Sequence, residues 1–176
     1  MGTYEEILET FKKKLKTVSV VEIADIPKID LYMDQVTTFM DQALTPYKRS
    51  SDGKVLTKTM INNYTKAKVL PPPVKKKYGR MHIMLLIMIF HLKTVLSIKD
   101  IATLFQPIFA LPTKEESEKQ TEKIYAGFIY LQKATLTYMQ ASAEGIIDDT
   151  LFQKEIMAEY DEEMKKVMLI LLLAIR

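Results

Sequence analysis

The stretch Lys58-Thr59-Met60-Ile61-Asn62-Asn63-Tyr64-Thr65-Lys66-Ala67-Lys68-Val69-Leu70-Pro71-Pro72-Pro73-Val74-Lys75-Lys76-Lys77-Tyr78-Gly79-Arg80 decides the reading of this chain. Thr57 precedes it, and a Thr hydroxyl satisfies one of the free N–H groups at a helix start. A helix is therefore predicted over roughly 58–68. At about 100° per residue its wheel splits into two faces. Met60, Ile61, Tyr64 and Ala67 share one side, while Lys58, Thr59, Asn62, Asn63, Thr65 and Lys66 share the other. The first set suits a core. The second carries amide, hydroxyl and ammonium groups, the chemistry that reads base edges in a groove. Pro71-Pro72-Pro73 cannot extend a helix, so the chain leaves it extended. Residues 74–80 then read as a short basic ribbon, in which Gly79 is expected to allow a tight bend.

Outward from this stretch the chain reads as helices. Residues 82–94 are apolar nearly all round, which predicts the buried centre of the domain. Ser97 and Asp100 form a capping signature for a short helix expected to end before Pro107. On the N-terminal side, Thr3 and Glu6 open a helix to about Lys16, with Ile7, Phe11, Leu15 and Val18 at helical spacing. Pro27 interrupts the chain. Asp30 is expected to cap a helix with the stripe Tyr32, Val36, Phe39, Met40 and Ala43. Thr113 and Glu116 cap a long helix to about Ala143, with a narrow apolar seam of Ile124, Phe128, Leu131, Thr135 and Tyr138. Gly145 is expected to end it. A last helix, capped by Asp148 or Asp149, carries Phe152, Ile156, Tyr160, Val167, Leu171 and Ile175.

Composition narrows the function classes. Of 176 residues 48% are hydrophobic, enough for a real core, and only five are Gly, which favours helix over sheet. The absence of Cys removes disulfides, thiolate metal sites and thiol catalysis. His82 and His91 lie about 900° apart on a helical wheel, half a turn out of phase, so they cannot share a metal ion. The acidic cluster Glu155, Glu159, Asp161, Glu162 and Glu163 reads as a solvated face beside lysines. Met84 and Met88 on the central helix read as core filling. No phosphate loop, nucleophile elbow or catalytic triad pattern is present, and no enzyme, metal or cofactor is expected. The most apolar run, 81–92, is about half of the ~20 residues a membrane span needs, and no signal peptide is read, so a soluble cytoplasmic protein is expected.

The net charge of +3 conceals an uneven distribution. Between Lys48 and Arg80 ten basic residues face one acid, Asp52, a local +9 that leaves −6 for the remainder. Such a block is the footprint of a polyanion-binding surface.

Taken in order, residues 61–64, Val69-Leu70-Pro71-Pro72 and Gly79-Arg80-Met81-His82 resemble the MerR family of bacterial transcription regulators. Ile89-Phe90-His91-Leu92-Lys93 and Leu96-Ser97-Ile98-Lys99-Asp100-Ile101 continue the likeness over about fifty residues. The chain also looks like an uncharacterised bacterial domain family of unknown function with the same core. The resemblance implies a mainly α fold, with a MerR-like winged helix-turn-helix and short β-wing over 29–110. An N-terminal helix, 1–28, would pack on it, and long helices, 111–176, would form a homodimer. It implies double-stranded DNA as partner, read by Lys58, Asn62, Asn63 and Lys66. Lys48, Arg49, Tyr64, Lys75, Lys76, Lys77, Tyr78 and Arg80 would grip phosphates. The family's recognition-helix Arg is Asn62 here, its first Tyr is Asn63 and its final wing Tyr is His82, so no operator sequence carries over. The alternatives are an interaction module using the basic face on an acidic protein partner, and a peripheral membrane protein using the lysines and the apolar C-terminus. Neither effector nor ligand is implied.

Overall fold

The computed structural model describes residues 4–48, 53–147 and the isolated positions 161, 164 and 167. The chain is mainly helical. Helix α1 covers Tyr4–Thr17. Strand β1 (Leu31–Tyr32) leads directly into α2 (Met33–Ala43), and α3 spans Lys58–Lys66. Strand β2 (Lys77–Tyr78) precedes α4 (Arg80–Leu92), α5 (Ile98–Phe109) and the long α6 (Lys114–Ile147). The two strands pair antiparallel, with Leu31 opposite Tyr78 and Tyr32 opposite Lys77. Two groupings are separable: Val20–Leu131, and α1 with the part of α6 from Gln132. The Thr3 cap, the loop 49–52 and nearly all of the last predicted helix lie outside the described residues.

The central helix behaves as its composition dictates. All nine residues from Met81 to Ile89 are buried, and all but His82 belong to the hydrophobic core. Val36 and Met40 of α2, Ile61 and Tyr64 of α3, and Ile101, Phe105 and Ile108 of α5 complete the same core. Capping boxes follow the sequence at two starts. Ser97 Oγ accepts from the Asp100 N–H at 3.2 Å while the Ser97 N–H donates to the Asp100 carboxylate at 3.1 Å. Thr113 and Glu116 exchange the corresponding pair at 3.1 and 3.3 Å.

Four local expectations are overturned. Asp30 caps nothing: α2 starts at Met33, and the Tyr32 N–H is satisfied by Gln35 Oε1 at 2.8 Å. Pro107 does not end α5, which continues to Phe109 because Ile108 is buried and Phe109 packs edge-on against Phe105. Gly145 lies within α6, not after it. The seam by which α6 docks is also different. Ile124, Leu131 and Tyr138 are 37%, 64% and 67% exposed, and of the predicted set only Phe128 packs on the core. The buried line is Ser117, Thr121, Tyr125 and Ile129.

That line is mostly hydroxylic, and its polar groups are satisfied. Ser117 Oγ donates to the Ile108 carbonyl at 3.0 Å, Thr121 Oγ1 to the Ser117 carbonyl at 2.7 Å, and the Tyr125 hydroxyl to the Val21 carbonyl at 2.8 Å. Burial without such partners would cost on the order of 1–3 kcal/mol per group. A hydropathy stripe therefore points to the wrong face of this helix.

Candidate nucleic-acid interface

Helix α3 is amphipathic in the sense its wheel predicts. Thr57 Oγ1 accepts from the Met60 N–H at 3.2 Å and opens the helix. Ile61 and Tyr64 point into the core, with Met60 half-buried. Lys58, Thr59, Asn62, Asn63 and Lys66 are all exposed on the outer face. Ala67, assigned to the inner face by the wheel, is exposed because the helix has already ended at Lys66. Lys58 forms an ion pair with Asp34 in the first turn of α2. Both side chains are more than half exposed, and such a surface pair is weak enough for a phosphate to displace it.

Past the prolines the chain makes a tight hairpin. The Val74 N–H donates to the Lys77 carbonyl at 3.1 Å and the Lys77 N–H to the Val74 carbonyl at 2.9 Å. Between them Lys75 and Lys76 hold φ of 50° and 65°, the left-handed pair of a type I′ turn. Both are exposed. The bend is thus at the lysines, not at Gly79, whose φ of −81° is ordinary extended backbone. Lys77 is half-buried and lies over the Tyr32 ring, 5.2 Å from its centroid.

Four of the residues assigned to phosphates are committed elsewhere. Tyr78 and Tyr64 are 3% and 4% exposed, so neither ring is available to a surface ligand. Tyr78 sits in the strand pair and packs edge-on against His82; the Tyr64 hydroxyl is buried with no hydrogen-bond partner among the described residues. Arg80 turns inward at the start of α4, and its guanidinium donates to the Ile23 carbonyl. Lys48 is bound to Asp41 at 2.8 Å, and the same carboxylate accepts the Val55 N–H at 3.2 Å. The Lys48 hydrogen bond is the main reason the Asp41 carboxyl sits below its ordinary pKa. Asp41 of α2 thus holds both Lys48 and Val55. Arg49 lies outside the described residues.

His82 explains how the hairpin meets the core. Its Nδ1 accepts the Gly79 N–H at 3.1 Å, which leaves the proton on Nε2, 3.4 Å from the Pro72 carbonyl. One neutral ring thus joins the proline exit to the first turn of α4, and burial lowers its pKa. His91 is more strongly shifted, to about 4, again by burial. It stacks edge-on with Tyr47, 4.6 Å between centroids. Among the described residues no three His, Asp or Glu side chains gather as metal ligands do, and no helix is long and apolar enough to cross a membrane.

Two basic residues near this surface had no assigned role in the sequence pattern. Lys93, just past α4, places its ammonium 5.6 Å from the Tyr64 ring centroid. Lys68 takes a left-handed φ of 60° directly after α3. Both positions follow from where the preceding helix stops.

The exposed set that remains is Lys58, Thr59, Asn62, Asn63 and Lys66 on one helix, with Lys75 and Lys76 on the turn that follows. A family model for a domain of unknown function, DUF1836, matches residues 21–128. The chain belongs to the DUF1836 family. The DUF1836 match nearly coincides with the Val20–Leu131 grouping and contains every residue of this exposed set. No curated protein and no solved structure matches the chain.

Proposed function

We propose that this DUF1836 protein is a sequence-specific DNA-binding regulator built on a MerR-like winged helix-turn-helix. In this reading α3 enters the major groove and the Lys75–Lys76 turn acts as the wing on the phosphate backbone. The observation that carries it is the outer face of α3. Five of its six outward side chains, Lys58, Thr59, Asn62, Asn63 and Lys66, are polar and exposed, with Thr65 half-buried, while Ile61 and Tyr64 on the opposite side are buried. Asn62 and Asn63 supply amides able to pair two ways with adenine, and Lys58 and Lys66 can reach guanine, each good contact adding roughly 1–3 kcal/mol of discrimination. Lys75 and Lys76 supply the sequence-independent part.

Dimerisation through the C-terminal helices belongs to the same reading. Ile124, Leu131 and Tyr138 recur every seven residues on α6 and are exposed, the pattern of a helix seam awaiting a partner. A two-fold protein would read a two-fold operator.

Selection of bound duplexes from a random pool tests the proposal directly. An enriched motif is expected, with affinity falling steeply with salt. Changing Asn62 and Lys66 to Ala should flatten the sequence preference, while changing Lys75 and Lys76 should weaken all duplexes alike. Absence of any duplex retardation at low salt overturns the reading.

A further inference from the structure

Below the proline exit lies an open-mouthed cavity of about 390 Å³, lined by the end of α3, the start of the hairpin and the facing ends of α4, α5 and α6. Its size falls in the range of small-molecule sites, roughly 300–1,000 Å³. Leu70, Pro71, Pro72, Val74, Met81 and Phe109 make its walls apolar. The polar groups in the interior are already committed: His82 bonds Gly79 and reaches Pro72, and Ser117 donates to Ile108. An occupant would therefore present hydrocarbon to this interior.

Its rim has a different chemistry. Lys68, Lys114 and Glu118 are the charged lining residues, and all three are exposed. Lys114 pairs with Glu118 at 3.4 Å, with side chains 71% and 48% exposed, so the pair is readily exchanged. Lys68 has no side-chain partner among the described residues. Two ammonium groups against one carboxylate leave the mouth positive. Lys68 also holds its position at a cost, because a left-handed residue after a helix is ordinarily Gly or Asn. The Val69 and Leu70 N–H groups both bond the Tyr64 carbonyl, at 3.0 and 3.3 Å, and fix that reversal. Strain of this kind concentrates at ligand sites.

We propose that this cavity binds a small amphipathic anion, its apolar part inside and a carboxylate or similar group between Lys68 and Lys114. The proposal does not depend on the DNA-binding reading, since none of these groups belongs to the outer face of α3.

Calorimetric titration of the full chain with sodium octanoate, and with octyltrimethylammonium as the charge-reversed control, tests it. Octanoate should bind one-to-one and saturably, and the cation should not. Replacing Lys68→Gly together with Lys114→Gln should weaken octanoate at least about tenfold. Because Gly suits a left-handed φ, that variant should keep or raise the melting temperature, which separates loss of binding from loss of fold. Val74→Trp, at a position 54% exposed, should fill the cavity and abolish uptake with the circular dichroism unchanged. Equal binding of the cation overturns the proposal. So does unchanged affinity in the double variant, or no saturable octanoate binding below its micellar concentration.

Discussion

Lys75 and Lys76 occupy a turn that neither is suited to, and replacing them with Asn and Gly should separate stability from nucleic-acid affinity. With φ of 50° and 65° and the reciprocal Val74–Lys77 hydrogen bonds, the turn is type I′, for which Asn-Gly is the favoured pair. An ordinary L-residue held left-handed costs about 1 kcal/mol. Gly removes that cost and Asn reduces it, so Lys75→Asn with Lys76→Gly should gain about 1–2 kcal/mol. For a unit of about a hundred residues, each kcal/mol raises the melting temperature by roughly 4 °C or more. The same change removes two cations from the proposed wing. The slope of log affinity against log salt should then shrink by about 1.8, from roughly 0.9 per phosphate contact. Denaturant melts and fluorescence anisotropy at several salt concentrations measure both effects on the same preparation. A melting temperature that stays or falls would refute the turn assignment. A raised melting temperature with an unchanged salt slope would remove the wing from the proposed interface.

Three further outcomes are expected. Tyr64→Phe removes a buried hydroxyl that has no partner among the described residues, so urea titration should show stability unchanged or raised, and DNA affinity should not move. Tyr125→Phe strips the Val21 carbonyl of its buried donor and should lower stability by about 1–2 kcal/mol in the same assay. Stability should also fall with acidity. The unfolded His91 ring takes up a proton from about pH 6.5, while the folded one stays neutral down to about 4. The loss therefore spans that window as pH falls and amounts to about 3 kcal/mol at most. The lowered pKa of His82 acts in the same direction. His91→Leu should flatten the unfolding midpoint between neutral and acid pH relative to wild type; parallel profiles would contradict the shift.

The features legible in the sequence are those whose signal is local. Thr57, Ser97 and Thr113 announce their helices because a cap bonds within four residues. Met81 to Ile89 reads as buried because no polar side chain but His82 interrupts it. The outer face of α3 follows from the helical period once Ile61 and Tyr64 are given to the core. Non-local partners hide the rest. Arg80 reads as a phosphate ligand until the Ile23 carbonyl, fifty-seven residues away, is seen to hold it. Tyr78 reads as exposed because two-residue strands leave no alternation to detect, and β1 was not anticipated at all. Pro107 is a sound helix breaker whose effect is overridden by the burial of Ile108, the very next residue. For α6, the apolar residues and the docked residues occupy different faces, so period alone misassigns the seam.

The hydroxyl line of α6 has a mechanical consequence. A stripe of aliphatic side chains can slip by a turn along its groove, since one hydrocarbon contact replaces another at little cost. Ser117 and Tyr125 resist such exchange: both hydroxyls are keyed to carbonyls off the helix, at Ile108 and Val21, with Ser117 also bonding the Thr113 carbonyl at 3.2 Å. The two keys lie eight residues apart, about 12 Å along the axis. Sliding or rolling the helix would break both at once and leave the buried Tyr125 hydroxyl without its acceptor. The first half of α6 is thus pinned in both translation and rotation, like a shaft held by two keyways, rather than resting in a greasy bearing.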